Sequence, residues 1–492
     1  MKYDYDVIII GSGPAGFSCA MQSSKFDKKV LVVEATKENF GGTWINVGTV
    51  PSKALRETAR IIRRFQHQFG DEDKKAYEEY QMQDLLMYKN EILKSKNTKV
   101  ENDLAKNEID TLKGFGKLKN DHEVEISLHD GSTKTVSGEY ILISTGATPD
   151  RPSNFDIDGE KILGYSSILS MTHIPRRLVI IGSGVNALEY ATTFSSLGSR
   201  VAILNEKNDF LNFLDHEILE QLNGILDREK IEVTSNVKNI EISENTLRNT
   251  MEVKYQINND NEQDRYYVNE TEHVLYLGGY RPNTTKIGLE NTNVQTDEMG
   301  NIIVDKAYRT DAPNIYAAGD VIGFPGLASA SFSEGRVASC SMFGVEIQEV
   351  PPEIPFAIYS IPEIANIGLT ERDARNMGLD VTVGRAYYKN ITQGDISKQQ
   401  DGLLKIVFAT DTFKILGVHI IGERASDLVH LGQAVMSLNG DIRYFINHVM
   451  NYPTYSEAYR VAAFNGINRV YKAGVKYKKI LRGKKDPEQD QT

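Results

Sequence analysis

The sequence predicts an α/β protein with two parallel-sheet units of similar design and a C-terminal α+β region. Apolar runs at residues 7–10 and 178–181 each lead directly into a glycine-rich turn. A helix-forming stretch and a second apolar run follow each turn, which is the order of a strand–helix–strand unit. After about residue 346, strand and helix patterns mix without another such turn, which predicts a separate α+β domain.

Composition narrows the classes of protein that fit. The chain has 492 residues, of which 40% are hydrophobic and 25% charged, so we expect two to four globular domains. The net charge of −11 argues against nucleic acid and anionic membranes as partners. The two cysteines, Cys19 and Cys340, exclude a disulfide scaffold and a cysteine-based metal centre, and we expect no metal. The sequence has neither a transmembrane run nor a signal-peptide pattern, so we expect a cytoplasmic location.

The first glycine turn contains Gly11, Gly13 and Gly16, and the apolar run beyond the next helix ends in Glu34. Strand, glycine turn, helix, strand and acid together form the fingerprint of a dinucleotide-binding unit. The glycines let the backbone approach a pyrophosphate, and the helix N-terminus presents free N–H groups to that anion. Glu34 is predicted to accept a hydrogen bond from the ribose.

The second turn repeats the first at a shift of 171 residues. Gly11, Gly13, Gly16 and Glu34 correspond at that shift to Gly182, Gly184, Ala187 and Asn205. A single glycine fingerprint is weak evidence, but two in the same context and register predict two Rossmann-like domains.

A second, shorter repeated pattern supports the presence of two similar nucleotide-binding units. The apolar run at residues 140–143 leads into Thr145 and Gly146, and the run at 274–277 leads into Gly279. In both segments a Gly-x-x-Pro pattern predicts that the chain turns away from the sheet near the end of each unit. Thr145, Gly146 and Gly279 are predicted to be cofactor-binding residues.

These patterns predict a first nucleotide domain at residues 1–150 and 281–345, with a second inserted at 151–280. The polar stretch at 241–272 reads as β-hairpins within the second domain. A C-terminal domain is predicted at 346–471, followed by a charged and flexible tail at 472–492.

Residues 314–320 are similar to the second FAD signature of flavoproteins with two dinucleotide-binding domains. The resemblance implies that Asp320 holds the ribityl side of FAD and that the helix beginning near Ala328 faces the flavin ring. Thr43 and Lys53 lie in a further segment, 41–53, that resembles the redox loop of the dihydrolipoamide dehydrogenase and glutathione reductase group.

That group carries Cys-x-x-x-x-Cys in the redox loop, whereas this chain has Trp44 and Thr49 at the two positions. The chain therefore has no thiolate to attack a disulfide there. The group's acid–base histidine is replaced by Tyr452, and a phenol is a poor proton shuttle at neutral pH. Trp44 either shapes the face that a disulfide substrate would use or is an ordinary core aromatic.

Threonine and tyrosine at these positions resemble the soluble pyridine nucleotide transhydrogenases, and the resemblance extends over about residues 4–471. It implies FAD, NAD and NADP as cofactors and hydride transfer from NADPH to flavin N5 and then to NAD+. It also implies a homodimer or larger homo-oligomer. The catalytic pair would be Lys53 and Glu189, positioned near the flavin and the nicotinamide.

Neutral Asn205 suits either NADH or NADPH, because a carboxylate at this position would repel the 2′-phosphate of NADPH. The neighbouring Glu206 and Lys207 have opposite charges, so a preference for NADH stays open.

Two other functions fit the same sequence. An NAD(P)H diaphorase or quinone reductase would use the same fold with a different oxidant. A non-catalytic flavin-binding regulatory subunit would dock through the charged tail. A dithiol reductase is not expected, because this chain lacks the cysteine nucleophile that such an enzyme needs.

Overall fold

The computed structural model describes residues 3–69, 82–258, 265–346, 351 and 353–472. They form two compact units. Unit 1 contains the described residues within 1–57, 80–173 and 273–352, and unit 2 contains those within 58–79, 174–272 and 353–492. Except for its first residue, the predicted tail at 472–492 lies outside the described residues.

Twenty-one strands are present among the described residues. They are β1 (Tyr5–Ile10), β2 (Val30–Glu34), β3 (Asp110–Leu118), β4 (Glu123–Leu128), β5 (Thr133–Ile143), β6 (Ala147–Pro149), β7 (Ile162–Leu163), β8 (Arg177–Ile181), β9 (Arg200–Leu204), β10 (Glu232–Thr234), β11 (Val237–Asn245), β12 (Thr250–Ile257), β13 (Tyr266–Thr271), β14 (His273–Tyr276), β15 (Tyr280–Pro282), β16 (Ile315–Ala317), β17 (Phe356–Ile358), β18 (Glu363–Gly368), β19 (Val381–Tyr387), β20 (Leu403–Ala409) and β21 (Ile415–Gly422).

Twelve α-helices connect or cover these strands within the same described segments. They are α1 (Pro14–Ser24), α2 (Thr43–Asn46), α3 (Thr49–Phe69), α4 (Met82–Lys106), α5 (Val185–Ser196), α6 (His216–Arg228), α7 (Ala328–Met342), α8 (Glu371–Asn376), α9 (Thr392–Ser397), α10 (Ala425–Ser437), α11 (Tyr444–Asn447) and α12 (Glu457–Lys472).

Unit 1 is built on a parallel sheet in the strand order β3-β2-β1-β5-β16. Its central strands are continuous apolar runs because both faces of the sheet are covered, and Ile8 and Ile9 of β1 are fully buried. Strands β3, β4 and β5 extend beyond this sheet as an antiparallel meander.

Small residues let α1 pack closely against α7. A Cβ at Gly335 of α7 would lie 2.0 Å from the carbonyl oxygen of Ala15 in α1, so only glycine fits there. Farther along the same contact, the hydroxyls of Ser23 and Ser339 are 2.7 Å apart. Proline at the first helical position and glycine before it begin α1 at the glycine turn.

Unit 2 contains the second strand–helix–strand pattern, with β8, β9 and β10 in parallel. The repeat is visible in the strand register: Ile10 pairs with Val33, and Ile181 pairs with Leu204, which is the same pairing 171 residues later. The predicted hairpins are confirmed, since β11, β12 and β13 form an antiparallel sheet.

The C-terminal part of unit 2 is the predicted α+β arrangement. An antiparallel sheet in the order β17-β18-β21-β20-β19 carries α10 and α12, and its apolar core includes Phe408, Phe445 and Tyr459. The two compact units do not separate this part from the second nucleotide unit, so the boundaries of the three predicted domains stay a prediction.

A buried ionic cluster stabilises unit 2. Lys405 of β20 is 1% exposed, and its ammonium group lies 3.0 Å from the carboxylate of Asp215. Glu217 and Glu371 approach the same ammonium at 2.7 and 2.8 Å. Asp215 also begins α6 by accepting a hydrogen bond from the Glu217 amide.

Across the described parts of the chain, every helix falls short of the length and apolar character that spanning a bilayer requires.

Candidate functional site

The first glycine turn of unit 1 is shaped by close backbone contacts. Gly11 has a φ of +105°, and its amide donates to the Val33 carbonyl at 2.8 Å. A Cβ at Gly16 would lie 1.9 Å from the carbonyl oxygen of Gly11. These two glycines are therefore required by the turn itself, independently of any ligand.

Gly13 has a different role, because a Cβ there would meet no protein atom within 4 Å. It is the N-cap of α1 and has no capping side chain. The first N–H groups of α1 thus have no capping side chain, and free N–H groups at a helix start are the arrangement that binds a pyrophosphate. Gly184 repeats this geometry at α5 of unit 2, with no capping side chain and no atom near its Cβ position.

Glu34 is held in position before any ribose binds. One carboxylate oxygen accepts hydrogen bonds from the amide and hydroxyl of Ser12, and the other accepts one from the Thr36 amide at 2.9 Å. The Ser12 hydroxyl in turn accepts from the Gly41 amide at 2.8 Å. Glu34 therefore connects the glycine turn to the loop that precedes α2.

The segment similar to the second FAD signature is bonded to a residue that the sequence analysis did not identify. Glu334 of α7 is 3% exposed, and its carboxylate accepts a hydrogen bond from the Gly319 amide at 2.8 Å. Burial raises the pKa of Glu334 to about 7, and the nearby charge of Asp320 adds to the increase. Burial also raises the pKa of Asp320. A carboxyl beneath the FAD loop therefore titrates near neutral pH.

The two Gly-x-x-Pro segments pair with each other in unit 1. Strands β6 and β15 are antiparallel, and Pro149 lies opposite Tyr280. Thr145 donates its hydroxyl proton to the carbonyl of Asn283 at 2.9 Å, and the Asn283 amide donates to Gly146 at 2.9 Å. Gly279 accepts from the amide of Asp150 at 2.8 Å. The predicted residues Thr145, Gly146 and Gly279 therefore lie beside the same two-stranded sheet, which β6 and β15 form.

The redox-loop segment forms α2 and the start of α3. Thr43 and Thr49 are exposed at the first positions of these helices, and Trp44 is half-buried. Cys19 and Cys340 are free and buried, and burial raises the pKa of Cys19 to about 12. Neither thiol has the properties of a nucleophile.

Unit 2 contains the predicted nicotinamide residues. Gly182 donates to Leu204 at 3.0 Å, as Gly11 does to Val33, and Ala187 is buried in the first turn of α5. Asn205 is fully buried, and its side-chain amide donates to the carbonyl of Lys207 and to the hydroxyl of Ser235, both at 2.9 Å. Asn205 therefore orders the turn that presents Glu206 and Lys207 at the surface.

The predicted catalytic pair is divided between the units. Lys53 lies half-buried on α3 in unit 1, and Glu189 lies 7% exposed on α5 in unit 2. Glu189 accepts a hydrogen bond from the Tyr359 amide at 2.8 Å, a partner the sequence did not suggest. The pairing of Lys53 with Glu189 stays a prediction.

Tyr452 stands at the place of the group's acid–base histidine. Its side chain is 67% exposed, and its hydroxyl lies 2.7 Å from the hydroxyl of Thr392.

Comparison with protein families identifies the family of the chain. Residues 5–335 match the family described as pyridine nucleotide-disulphide oxidoreductase, and residues 354–463 match its dimerisation domain. The chain belongs to this oxidoreductase family. The first match covers both glycine turns and residues 314–320, and the second covers all five strands of the sheet β17-β18-β21-β20-β19.

Curated relatives within the oxidoreductase family are similar over almost their whole length. The chain is 36% identical to the soluble pyridine nucleotide transhydrogenase of Pseudomonas putida (strain W619), with 95% of this chain and 99% of the relative covered. It is 38% identical to the protein of the same name from Ectopseudomonas mendocina, with the same shares covered.

Solved structures of the family share the fold. The HOCl-induced flavoprotein disulfide reductase RclA from Escherichia coli superimposes with a TM-score of 0.83 at 25% identity, covering 94% of this chain and 99% of that chain. LpdA from Mycobacterium tuberculosis gives a TM-score of 0.84 at 22% identity, covering 93% and 99%.

These matches confirm several predictions. The fold class, the oxidoreductase class and the FAD and NAD(P) cofactors agree with the family and its relatives. Pyridine nucleotides are the substrates of the family, and the chain carries its dimerisation domain. The individual site residues stay predictions, because no ligand contact tests them.

Proposed function

We propose that the chain is an FAD-dependent NAD(P)+ transhydrogenase that exchanges hydride between NADPH and NAD+ in a ping-pong sequence, without a redox-active disulfide. The observation that carries the proposal is the combination of two open nucleotide-binding turns with the loss of the redox pair. Gly13 and Gly184 each begin a helix without a capping side chain, whereas Trp44 and Thr49 occupy the two sulfur positions. The names of the curated relatives support the same activity.

The residues of unit 1 fit FAD. The free N–H groups at the start of α1 suit the pyrophosphate, and the fixed carboxylate of Glu34 suits a ribose hydroxyl. Asp320 follows Gly319 on the side of the ribityl chain, and the N-terminal dipole of α7 at Ala328 favours negative charge on its ligand. When bound, FAD supplies a hydride acceptor and donor at N5.

The residues of unit 2 fit a nicotinamide dinucleotide that either carries or lacks a 2′-phosphate. The start of α5 at Gly184 suits the pyrophosphate. Asn205 places no carboxylate at the ribose, and exposed Lys207 supplies a positive charge for a phosphate. Lys53 and Glu189 would position the nicotinamide, with Glu189 itself fixed by the Tyr359 amide.

The proton balance explains why Tyr452 suffices where the disulfide reductases use histidine. The net reaction, NADPH and NAD+ giving NADP+ and NADH, neither releases nor consumes a proton. A site for this exchange therefore needs no general acid, and an exposed phenol at position 452 carries no cost for the chemistry.

Two further predictions belong to the proposal. A homodimer would form through the dimerisation domain at residues 354–463. A cytoplasmic location is also part of the proposal, and the curated relatives named as soluble transhydrogenases are consistent with it.

The test is an anaerobic assay of the purified holoprotein with NADPH and thio-NAD as the two substrates. We expect rapid formation of reduced thio-NAD, with parallel lines in double-reciprocal plots. A Cys19→Ala/Cys340→Ala variant is the matched control and should keep this rate, since no thiol takes part. If FAD is reduced while thio-NAD stays oxidised, the proposal is wrong and quinones become the substrates to test. Loss of activity in the folded, FAD-loaded cysteine variant would point to thiol chemistry.

A further inference from the structure

Trp44 lies in a group of three aromatic side chains in unit 1, here called the aromatic cluster: Phe17, Trp44 and Phe332. The rings of Trp44 and Phe332 are 5.2 Å apart between centroids, with an interplanar angle of 85°. Phe332 meets Phe17 in the same edge-to-face manner at 6.5 Å. All three side chains are half-buried, so the cluster reaches the surface of the unit.

Each member of the cluster lies near the beginning of a helix that builds the proposed FAD site. Phe17 is in the first turn of α1, Trp44 is the second residue of α2, and Phe332 is one turn into α7. The ends of these helices converge. A Cβ at Gly42, just before α2, would lie 2.9 Å from the Cα of Gly13, which is the N-cap of α1. Ahead of α7, a Cβ at Gly319 would lie 3.3 Å from the Cβ of Ala15 in the first turn of α1.

The indole N–H of Trp44 shows that packing alone does not account for this residue. The nitrogen Nε1 is buried and has no hydrogen-bond partner among the residues that the structure describes. Phenylalanine would fill a similar space without leaving a buried donor unsatisfied, which is unfavourable. The large indole therefore stands at a sulfur position of the family despite a local cost, which points to a functional role.

We propose that the aromatic cluster is a gate that controls which oxidant reaches the FAD site. By filling the face that the redox disulfide occupies in the reductases of the family, Trp44 and its neighbours exclude bulky acceptors such as disulfides and quinones. The predicted nucleotide-binding residues Gly182, Gly184, Ala187 and Asn205 lie in unit 2 and are not part of the cluster. This inference rests on the proposed transhydrogenase function and assigns its choice of acceptor to three side chains.

The gate is tested by following a quinone as oxidant. NADH gives up a hydride and the solvent a proton, and the quinone takes up both to become a hydroquinone while NAD+ is released. We expect Trp44→Ala and Trp44→Ala/Phe332→Ala holoproteins to raise kcat/KM for menadione at least tenfold, with thio-NAD exchange within about threefold of wild type. Phe343→Ala is the matched control, because Phe343 is an aromatic at the other end of α7 that packs on Tyr140.

Two results overturn the gate in different ways. If the folded, FAD-loaded variants reduce menadione no faster than wild type, the cluster does not control access. If Phe343→Ala gives the same increase, general loosening is responsible. Failure of the proposed function is distinguishable, because wild-type protein would then not reduce thio-NAD at all.

A fluorescence measurement keeps the proposal testable if the alanine variants do not fold. Trp44 is the single tryptophan of the chain, so intrinsic tryptophan emission reports on the cluster alone. We expect acrylamide to quench the wild-type emission several-fold less efficiently than that of Phe332→Leu, which keeps bulk but removes the edge-to-face contact. Quenching of wild type as efficient as that of free indole would contradict a closed gate.

Discussion

The Gly319 amide donates a hydrogen bond of 2.8 Å to the buried carboxylate of Glu334, the seventh residue of α7. This bond fixes the loop that presents Asp320. It also places a group with a pKa of about 7 next to the predicted FAD-binding segment, because burial disfavours the charged carboxylate.

Glu334→Gln should change stability in a pH-dependent way. The pKa of Glu334 is higher in the folded protein than its ordinary value of 4.5, so its contribution to stability is full below that value and is lost as the pH rises through about 7. Glutamine keeps an acceptor for Gly319 but cannot ionise. We expect the FAD-free variant to exceed wild type by up to about 3 kcal/mol at pH 8 and to match it at about pH 4.

Thermal unfolding at the two pH values measures this difference. The exposed Glu290, whose side chain is 68% accessible, provides the control Glu290→Gln, which should leave both values unchanged. Equal stabilisation by Glu334→Gln at both pH values would show that packing rather than ionisation is responsible.

The two predicted nucleotide sites can be tested one at a time by adding a single methyl group at Gly13 or at Gly184. Gly13→Ala and Gly184→Ala place a Cβ where no protein atom lies within 4 Å, so folding should be unaffected and the new methyl group should project toward the ligand. We expect Gly13→Ala to weaken FAD binding at least tenfold. Gly184→Ala should keep FAD and raise KM for both nicotinamide nucleotides.

Gly16→Ala is the structural counterpart, because its Cβ would lie 1.9 Å from the Gly11 carbonyl oxygen. This variant should fail to fold unit 1 properly. Fluorescence titration with FAD, together with the melting temperature of each FAD-free variant, distinguishes the two kinds of glycine. A large loss of stability in Gly13→Ala would argue that its role is structural.

The charges that follow Asn205 should set nucleotide selectivity. Glu206 and Lys207 are exposed on the turn that the Asn205 amide orders. Removing the negative charge with Glu206→Gln should raise kcat/KM for NADPH about three- to tenfold, because a carboxylate repels the 2′-phosphate. Lys207→Ala should lower it by a similar factor. Both variants should leave kcat/KM for NADH within twofold, and equal effects on the two nucleotides would contradict this assignment.

Breaking the ionic cluster of unit 2 should strongly lower the free energy of unfolding. Lys405→Met leaves the carboxylates of Asp215, Glu217 and Glu371 without their shared ammonium. Removing one partner of a buried ion pair typically costs about 3–5 kcal/mol. Arg248→Ala breaks the exposed pair with Glu270 and should cost far less, because water and salt screen the two charges. Chemical denaturation of the two variants measures the contrast, and similar losses would contradict it.

Features set by local sequence patterns were predictable. The glycine turns, the strands around them and the repeat at a shift of 171 residues follow from spacing along the chain, and the strand register confirms that shift. The β-hairpins between residues 241 and 272 follow from alternation and are also confirmed.

Contacts between distant segments were not predictable from the sequence. The segment between Gly319 and Glu334 shows no hydrophobic pattern that would predict their hydrogen bond. Phe17 and Phe332, whose rings are in contact, are 315 positions apart in the sequence. Lys405 lies inside an apolar strand, where sequence alone gives no sign of its three carboxylate partners. Such contacts depend on how the elements pack, which one sequence read along its length does not specify.

The measurement that tests the central claim most directly separates the two halves of the proposed exchange. Under anaerobic conditions, one equivalent of NADPH is added to the holoprotein, the visible FAD absorbance is followed, and NADP+ is removed by gel filtration. NAD+ is then added in the absence of any other oxidant. The proposed function predicts that the absorbance bleaches in the first step and returns in the second, with about one NADH formed per FAD. A bleached protein that NAD+ fails to restore would contradict it.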